Sequence, residues 1–230
     1  MRSAALLLLL MLTTAAAPAP DAGTIVQRHL DAIGGVERWR KVESLMVRGT
    51  NDYAAFVWLW KSPNRFRTDE RDHLNSGKTL TISFDGRTAW TSNPFKGSPD
   101  PRKITPAEHR RWETGLAIRS DLLDMPPKGS SVTLAGEESV QGRRAYKLTL
   151  TREGRDPVQL WVDAESYLIL QRARTVVSPW GSQELAVTPI GDYRMVRGVR
   201  VPHNFGGTTC IVEVDPELDD AAFRPSQPLP

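Results

Sequence analysis

Four histidines, His29, His73, His109 and His203, are the residues of this chain best suited to proton transfer or metal binding. Their spacing serves neither. No HExxH pair, paired cysteines or acidic metal loop accompanies them. His29 falls in a helical stretch, His73 in a polar turn, His109 beside Arg110 and Arg111, and His203 in the strand-like VPHNF. Each reads as exposed or satisfied by neighbours. Serines are plentiful, but none lies in a GxSxG elbow. A Ser/His/Asp set would have to be assembled from distant positions. GGVERW, from Gly34 to Trp39, lacks the glycine spacing of a phosphate loop. The reading is therefore of a protein that is not an enzyme, with no cofactor and no metal. His203 or His109 would carry the rival reading, an exported hydrolase.

The unusual surface is apolar. In YAAFVWLWKSPNRFR, Tyr53 to Arg67, a strand would place Tyr53, Ala55, Val57 and Leu59 on one face and Ala54, Phe56, Trp58 and Trp60 on the other. Both faces are greasy. Phe66, Trp90, Phe95 and Trp112 extend the aromatic content of this half. One explanation is ordinary packing between a sheet and helices. The other is a lined cavity inside a curved sheet, suited to a lipid-like ligand. A methylene leaving water is worth roughly 0.8 kcal/mol. An acyl chain of about sixteen carbons is then held back from water by roughly ten kcal/mol or more, which is the problem a soluble carrier solves.

The elements that must hold this surface follow from the patterning. The chain has 230 residues, of which 40% are hydrophobic, enough for one domain with a real core. MRSAALLLLLMLTTAAAPAP has the charge, apolar run and small-residue site of a signal peptide over 1–19, with 20–230 as the mature domain. Cleavage between Ala15 and Ala19 makes the product exported, soluble and periplasmic; an uncleaved anchor is the alternative. No later run approaches the roughly twenty residues that span a bilayer. Cys210 is the only cysteine, so no internal disulfide forms, and it lies too far from the leader for lipidation. Its setting, TTCIVEV, suggests a buried thiol. The net charge of +3 is too small to argue for nucleic acid.

Ile25, Val26, Leu30 and Ile33 form a helical stripe ended by Gly34-Gly35. From Glu43 the period is two, giving about a dozen strands of the usual five to six residues. Hairpin turns are expected at DGR (85–87), QGR (141–143) and RGV (197–199). ITPAEHRRWETGLAIRSDLLDMPP interrupts the strands with a capped helix or two, Thr105 as N-cap and Pro106 at the first position. The tail PELDDAAFRPSQPLP ends Pro-rich and reads as frayed. The fold class is α+β: one large curved antiparallel sheet whose inner face packs on the helical stripes of 22–33 and 106–124.

LWKSPNRFR (59–67) and SFDGRTAWTSNPF (83–95) resemble the periplasmic lipoprotein-carrier family, LolA/LolB-like. The matching residues are Lys61, Pro63, Asn64, Phe66, Asp85, Gly86, Trp90, Asn93, Pro94 and Phe95, and LDDAAFRPSQP is similar to the family's closing segment. The resemblance implies an incomplete, half-open β-barrel with a helical lid over an apolar cavity. It implies binding of lipid or lipoprotein acyl chains by a monomer that passes them from an inner-membrane donor to an outer-membrane acceptor. On this reading Phe56, Trp58, Trp60, Phe66, Trp90 and Leu116 line the cavity, and Arg65 or Arg67 at its mouth meets a head group. One position departs from the pattern. Ser62 precedes Pro63-Asn64, where carriers that deliver lipoproteins commonly have an arginine that helps hold the lid. A relative handling or sensing another lipid is equally compatible, as is an envelope-stress interaction module of the same fold.

Overall fold

The computed structural model describes residues 20–74, 77–96, 98–105, 119–123, 129–177 and 183–224. The expected leader and most of the expected helix at 106–124, with Trp112 and Leu116, lie outside these residues.

Helix α1 (Ala22–Ala32) starts where the Asp21 carboxylate accepts the Thr24 N–H at 2.6 Å. It ends at Gly34 and Gly35, both at positive φ, whose N–H groups donate to Asp31 and Leu30 carbonyls. Gly34 is also a contact point. A Cβ there would stand 2.7 Å from the Gly198 carbonyl oxygen, so only glycine lets the helix end meet the 197–198 hairpin. A short α2 (Val36–Trp39) follows and buries Trp39.

The strands are β1 (Ser44–Thr50), β2 (Ala54–Lys61), β3 (Arg65–Asp72), β4 (Thr79–Phe84), β5 (Ala89–Asn93), β6 (Ser98–Lys103), β7 (Ser130–Val140), β8 (Arg143–Arg152), β9 (Val158–Asp163), β10 (Ile169–Val177), β11 (Gln183–Val196), β12 (Val199–Phe205) and β13 (Thr208–Val214). All belong to one antiparallel sheet, in the order β6-β5-β4-β3-β2-β1-β13-β12-β11-β10-β9-β8-β7. The chain enters at the middle, meanders to one edge at β6, crosses to the other edge at β7 and returns to pair β13 with β1. The expected turns form as their residues require. Gln141-Gly142 and Arg197-Gly198 take positive φ at both positions, and the Asp85 carboxylate accepts the N–H groups of Arg87 and Thr88 at 2.8 Å.

The sheet is open and curled. Arg119 and Asp121, two positions apart, touch Trp60 on β2 and Arg172 on β10. Those strands are five steps apart in the sheet, about 24 Å if it were flat. Curling makes an inner face on which α1 lies. The main core fills that face, with Ile25 and Leu30 of α1 and Ile33 just after it against Leu45, Val47, Leu148, Leu160, Val201 and Val212.

The outer face has its own cover over β1 and β2. The tail is ordered as far as Arg224, and its Pro-rich end, expected to fray, lies outside the described residues. Its 3-10 turn, Asp220–Phe223, packs Phe223, Leu218 and Ala222 on Met46, Val57 and Leu59, and Phe223 is fully buried. This explains why β2 is apolar on both sides: one side faces the interior and the other faces the chain's own C-terminal segment.

Candidate functional site

Cross-strand register fixes the side on which each expected site residue stands, because directly opposed residues share a face. Trp60 opposes Leu45 and Phe66, Trp58 opposes Val47, and Phe56 opposes Gly49. All of these point inward. Phe66 opposes Phe84 in turn, with ring centroids 6.0 Å apart. Phe56 stacks on Trp58 at 4.6 Å, and the edge of Trp58 meets Phe205 at 5.5 Å. The inner face therefore carries a continuous aromatic row, Phe205, Trp58 and Phe56 with Trp60, Phe66 and Phe84 beside them. Phe56 and Phe66 are buried, whereas Trp58 and Trp60 keep part of their surface. Gly49 makes room for the stack: a Cβ there would lie 2.4 Å from Phe56 Cζ. Gly49→Ala is expected to displace the Phe56 ring and cost about 1–3 kcal/mol, read as a lower urea midpoint together with a changed near-ultraviolet signal.

Three of the expected site residues stand on the other side. Trp90 opposes Ser83 and Lys103, Arg67 opposes Leu59 and Ser83, and Arg65 opposes Lys61. All belong to the outer face. The Lys103 ammonium sits over the Trp90 ring at 5.4 Å. Arg67 is buried, with its guanidinium on Asp69 (2.9 and 3.0 Å) and donating to the carbonyls of Ala222 and Arg224. Arg65 reaches Asp220 at 3.0 Å and the Asp85 carbonyl at 3.2 Å. Lys61 also reaches Asp220 and holds its carboxyl below the usual carboxylate range. These cations hold the C-terminal turn in place. Leu116 lies outside the described residues, so the row has five inner aromatics from β2, β3, β4 and β12 plus Phe56 as its anchor against Gly49.

The segment 119–123 crosses the inner face beside this row. The Arg119 guanidinium covers the Trp60 ring at 4.5 Å. Ser120 Oγ meets His29 Nε2 at 2.8 Å, and His29 Nδ1 meets the Tyr167 carbonyl oxygen at 2.8 Å, so Nδ1 carries the proton and Ser120 donates to Nε2. Asp121 accepts from Arg172 at 2.6 and 3.2 Å and lies 3.5 Å from Arg152, which also donates to its carbonyl. Leu122 is fully buried. Below this segment lies a partly open cavity of about 20 Å³, lined by His29, Ile33, Trp39, Leu160, Tyr193 and the arginines 119, 172 and 200 among others.

His29 is wholly buried on the α1 stripe, and burial pushes its pKa down to about 4. The folded protein thus holds it neutral, and the unfolded chain binds its proton more readily. Stability is complete above the ordinary histidine value near 6.5 and declines as pH falls toward 4. Between pH 7.5 and 5 the wild type is expected to lose about 2 kcal/mol of unfolding free energy. In His29→Gln this part of the pH dependence disappears; an unchanged slope in urea titrations at the two pH values would refute it. His203 is also buried, its Nδ1 3.1 Å from the Cys210 carbonyl, with the Asp192 carboxylate as its charged neighbour. Cys210 is buried and its thiol pKa is raised by burial, so it is an inert core thiol, as its sequence setting implied. Among the described residues no group of three or more His, Cys, Asp or Glu could hold a metal ion. No helix among them is long and apolar enough to cross a membrane.

Sequence reasoning missed Phe84 and Phe205 as members of the row, and Arg119, Arg172 and Arg200 as its charged border. Phe205 ends an alternating strand, so its face was readable, but its approach to Trp58 depends on the β1–β13 pairing.

No family model and no curated protein matches the chain. Among solved structures it is similar to a LolA superfamily protein from Nitrosomonas europaea, at 16% identity over 90% of this chain and 99% of that one, with a TM-score of 0.47. It is also similar to a DUF1329 family protein from Desulfovibrio piger, at 12% identity over 88% of this chain and 97% of that one, with a TM-score of 0.52. At such identities the likeness is one of fold. The open, curled antiparallel sheet with helices on its inner face is the fold the chain shares with the Desulfovibrio piger protein.

Proposed function

We propose that this chain is an exported, non-enzymatic binding protein that carries lipid acyl chains on the aromatic inner face of its sheet. The observation that carries this reading is the aromatic row on the inner side of β2, where Trp58 and Trp60 keep part of their surface beside the buried Phe56 ring. Carriage of acylated proteins across the periplasm, from an inner-membrane donor to an outer-membrane acceptor, is the specific form of this reading.

Size decides where a chain would lie. Ligand pockets usually measure about 300–1,000 Å³, against about 20 Å³ in the cavity under 119–123. An acyl chain therefore runs along the Phe56–Trp58–Trp60 row and not within that space. The mature protein purified from cells is expected to yield lipid on solvent extraction and mass spectrometry, and to take up a fluorescent fatty acid. Trp58→Ala and Trp60→Ala should each weaken uptake about tenfold, the value of roughly one to two methylenes' worth of contact each. Absence of both extracted lipid and uptake would refute the reading.

The small volume of the cavity under 119–123 favours a second reading, an interaction module of the same fold with a filled interior. That module would capture a defined protein partner in pull-downs while taking up no lipid.

A further inference from the structure

The arginines expected to meet a head group, Arg65 and Arg67, are committed to the outer face. The inner face supplies others. Arg119, Arg172 and Arg200 line one cavity, and Asp121 is the carboxylate among its lining residues. Arg152 shares that same carboxylate. Arg174, next on the same face of β10, has its pKa lowered by burial and then by Arg172. His29, the remaining titratable group in the lining besides Tyr193, is held neutral. Arg200 uses its backbone N–H on the Ile33 carbonyl, and its guanidinium forms no hydrogen bond or ion pair among the described residues. Half-buried guanidinium groups around a cavity favour an anion, and a planar fork matches a carboxylate in particular.

We propose that this cavity seats the carboxylate head of a fatty-acid anion whose chain lies along the Trp60–Trp58 row. Two features join the parts. Arg119 lines the cavity and covers the Trp60 ring, so the head site borders the aromatic row directly. The cavity, at about 20 Å³, has room for one or two water-sized groups, which suits a carboxylate and excludes a chain. Much of the remaining lining, Ile33, Trp39, Leu160, Ile169 and Ile190, is apolar and lowers the local dielectric, which strengthens a guanidinium–carboxylate pair.

The inference rests on the acyl-chain reading, and a ligand series separates the two. Palmitate, hexadecanol and acetate are titrated into the mature wild type and into Arg200→Gln, with intrinsic tryptophan fluorescence and calorimetry as readouts. Palmitate is expected to bind wild type at least tenfold tighter than hexadecanol. In R200Q that preference should fall to near unity while hexadecanol binding is unchanged. Equal affinity for acid and alcohol in wild type would overturn the head site and leave the carrier reading standing. Equal weakening of both ligands in R200Q would overturn it too, by showing a general packing defect. Binding of acetate, lost in R200Q, without binding of either long-chain ligand would support an anion site but overturn its role as a head-group seat, and with it the carrier reading.

Discussion

Phe223→Ala should lower the unfolding free energy by about 3–5 kcal/mol, the range found when a fully buried phenylalanine is truncated. Phe223 has no exposed surface and fills the outer side of β1 and β2 against Met46 and Leu59. Leu218 and Ala222 pack on the same cluster, so truncation leaves a cavity between the tail and the sheet. The polar ties of the tail would not offset the loss. Asp220 is half exposed where it meets Lys61 and Arg65, and exposed ion pairs contribute little. The check is a urea titration with far-ultraviolet circular dichroism, joined to limited proteolysis near 216–224. A change below 1 kcal/mol, with the tail still protected, would mean that Phe223 is not the anchor. Phe223→Leu keeps most of the apolar volume and should recover more than half of the loss.

Asp121→Ala is the second large effect, about 3–5 kcal/mol. Its carboxylate is the acceptor for Arg172, a residue 4% exposed. Removing it takes away the carboxylate that neutralises a buried guanidinium, and Arg152 loses the same carboxylate as well. The diagnostic experiment is a cycle with Arg172→Met. Removing both charges relieves the buried cation, so the double variant should be more stable than Asp121→Ala alone by at least 1 kcal/mol. Strict additivity of the two single changes would show that the pair is not coupled as the geometry requires.

Much of this architecture was legible because it is encoded locally. The α1 stripe, the Gly34-Gly35 stop and the turns at 85–87, 141–143 and 197–199 each follow from residues within a few positions of one another. The errors over Trp90, Arg65 and Arg67 came from grouping residues by type and not by register. Counting across the 62–64 turn already opposes Phe66 to Trp60, which puts Arg65 and Arg67 on the far side. Counting across 85–88 opposes Trp90 to Ser83. Other features had no local trace. The tail looked frayed because its prolines are local and its anchor, Phe223, finds Leu59 only in three dimensions. The Asp121–Arg172 and Ser120–His29 ties, and the meeting of Trp58 with Phe205, likewise join distant parts of the chain. Satisfied burial accounts for His29, whose helical position alone allowed either outcome.

The strand order also bears on how the molecule is made. Each half is a string of neighbouring hairpins that can zip up as it leaves the ribosome. The seam between them opposes Leu45 to Val214 and is secured where Asp215 accepts the Glu43 N–H at 2.7 Å, so it cannot close until β13 and Asp215 have been made. Such long-range closure is entropically expensive and slow. The inner aromatics would meanwhile stand on an unfinished rim, the stage at which a nascent chain most needs shielding from its neighbours. The same geometry brings the ends of the folded domain together in its middle. A rearranged gene that linked 216 to 43 and began at 129 would encode an uninterrupted up-and-down ribbon, with every strand next to its predecessor.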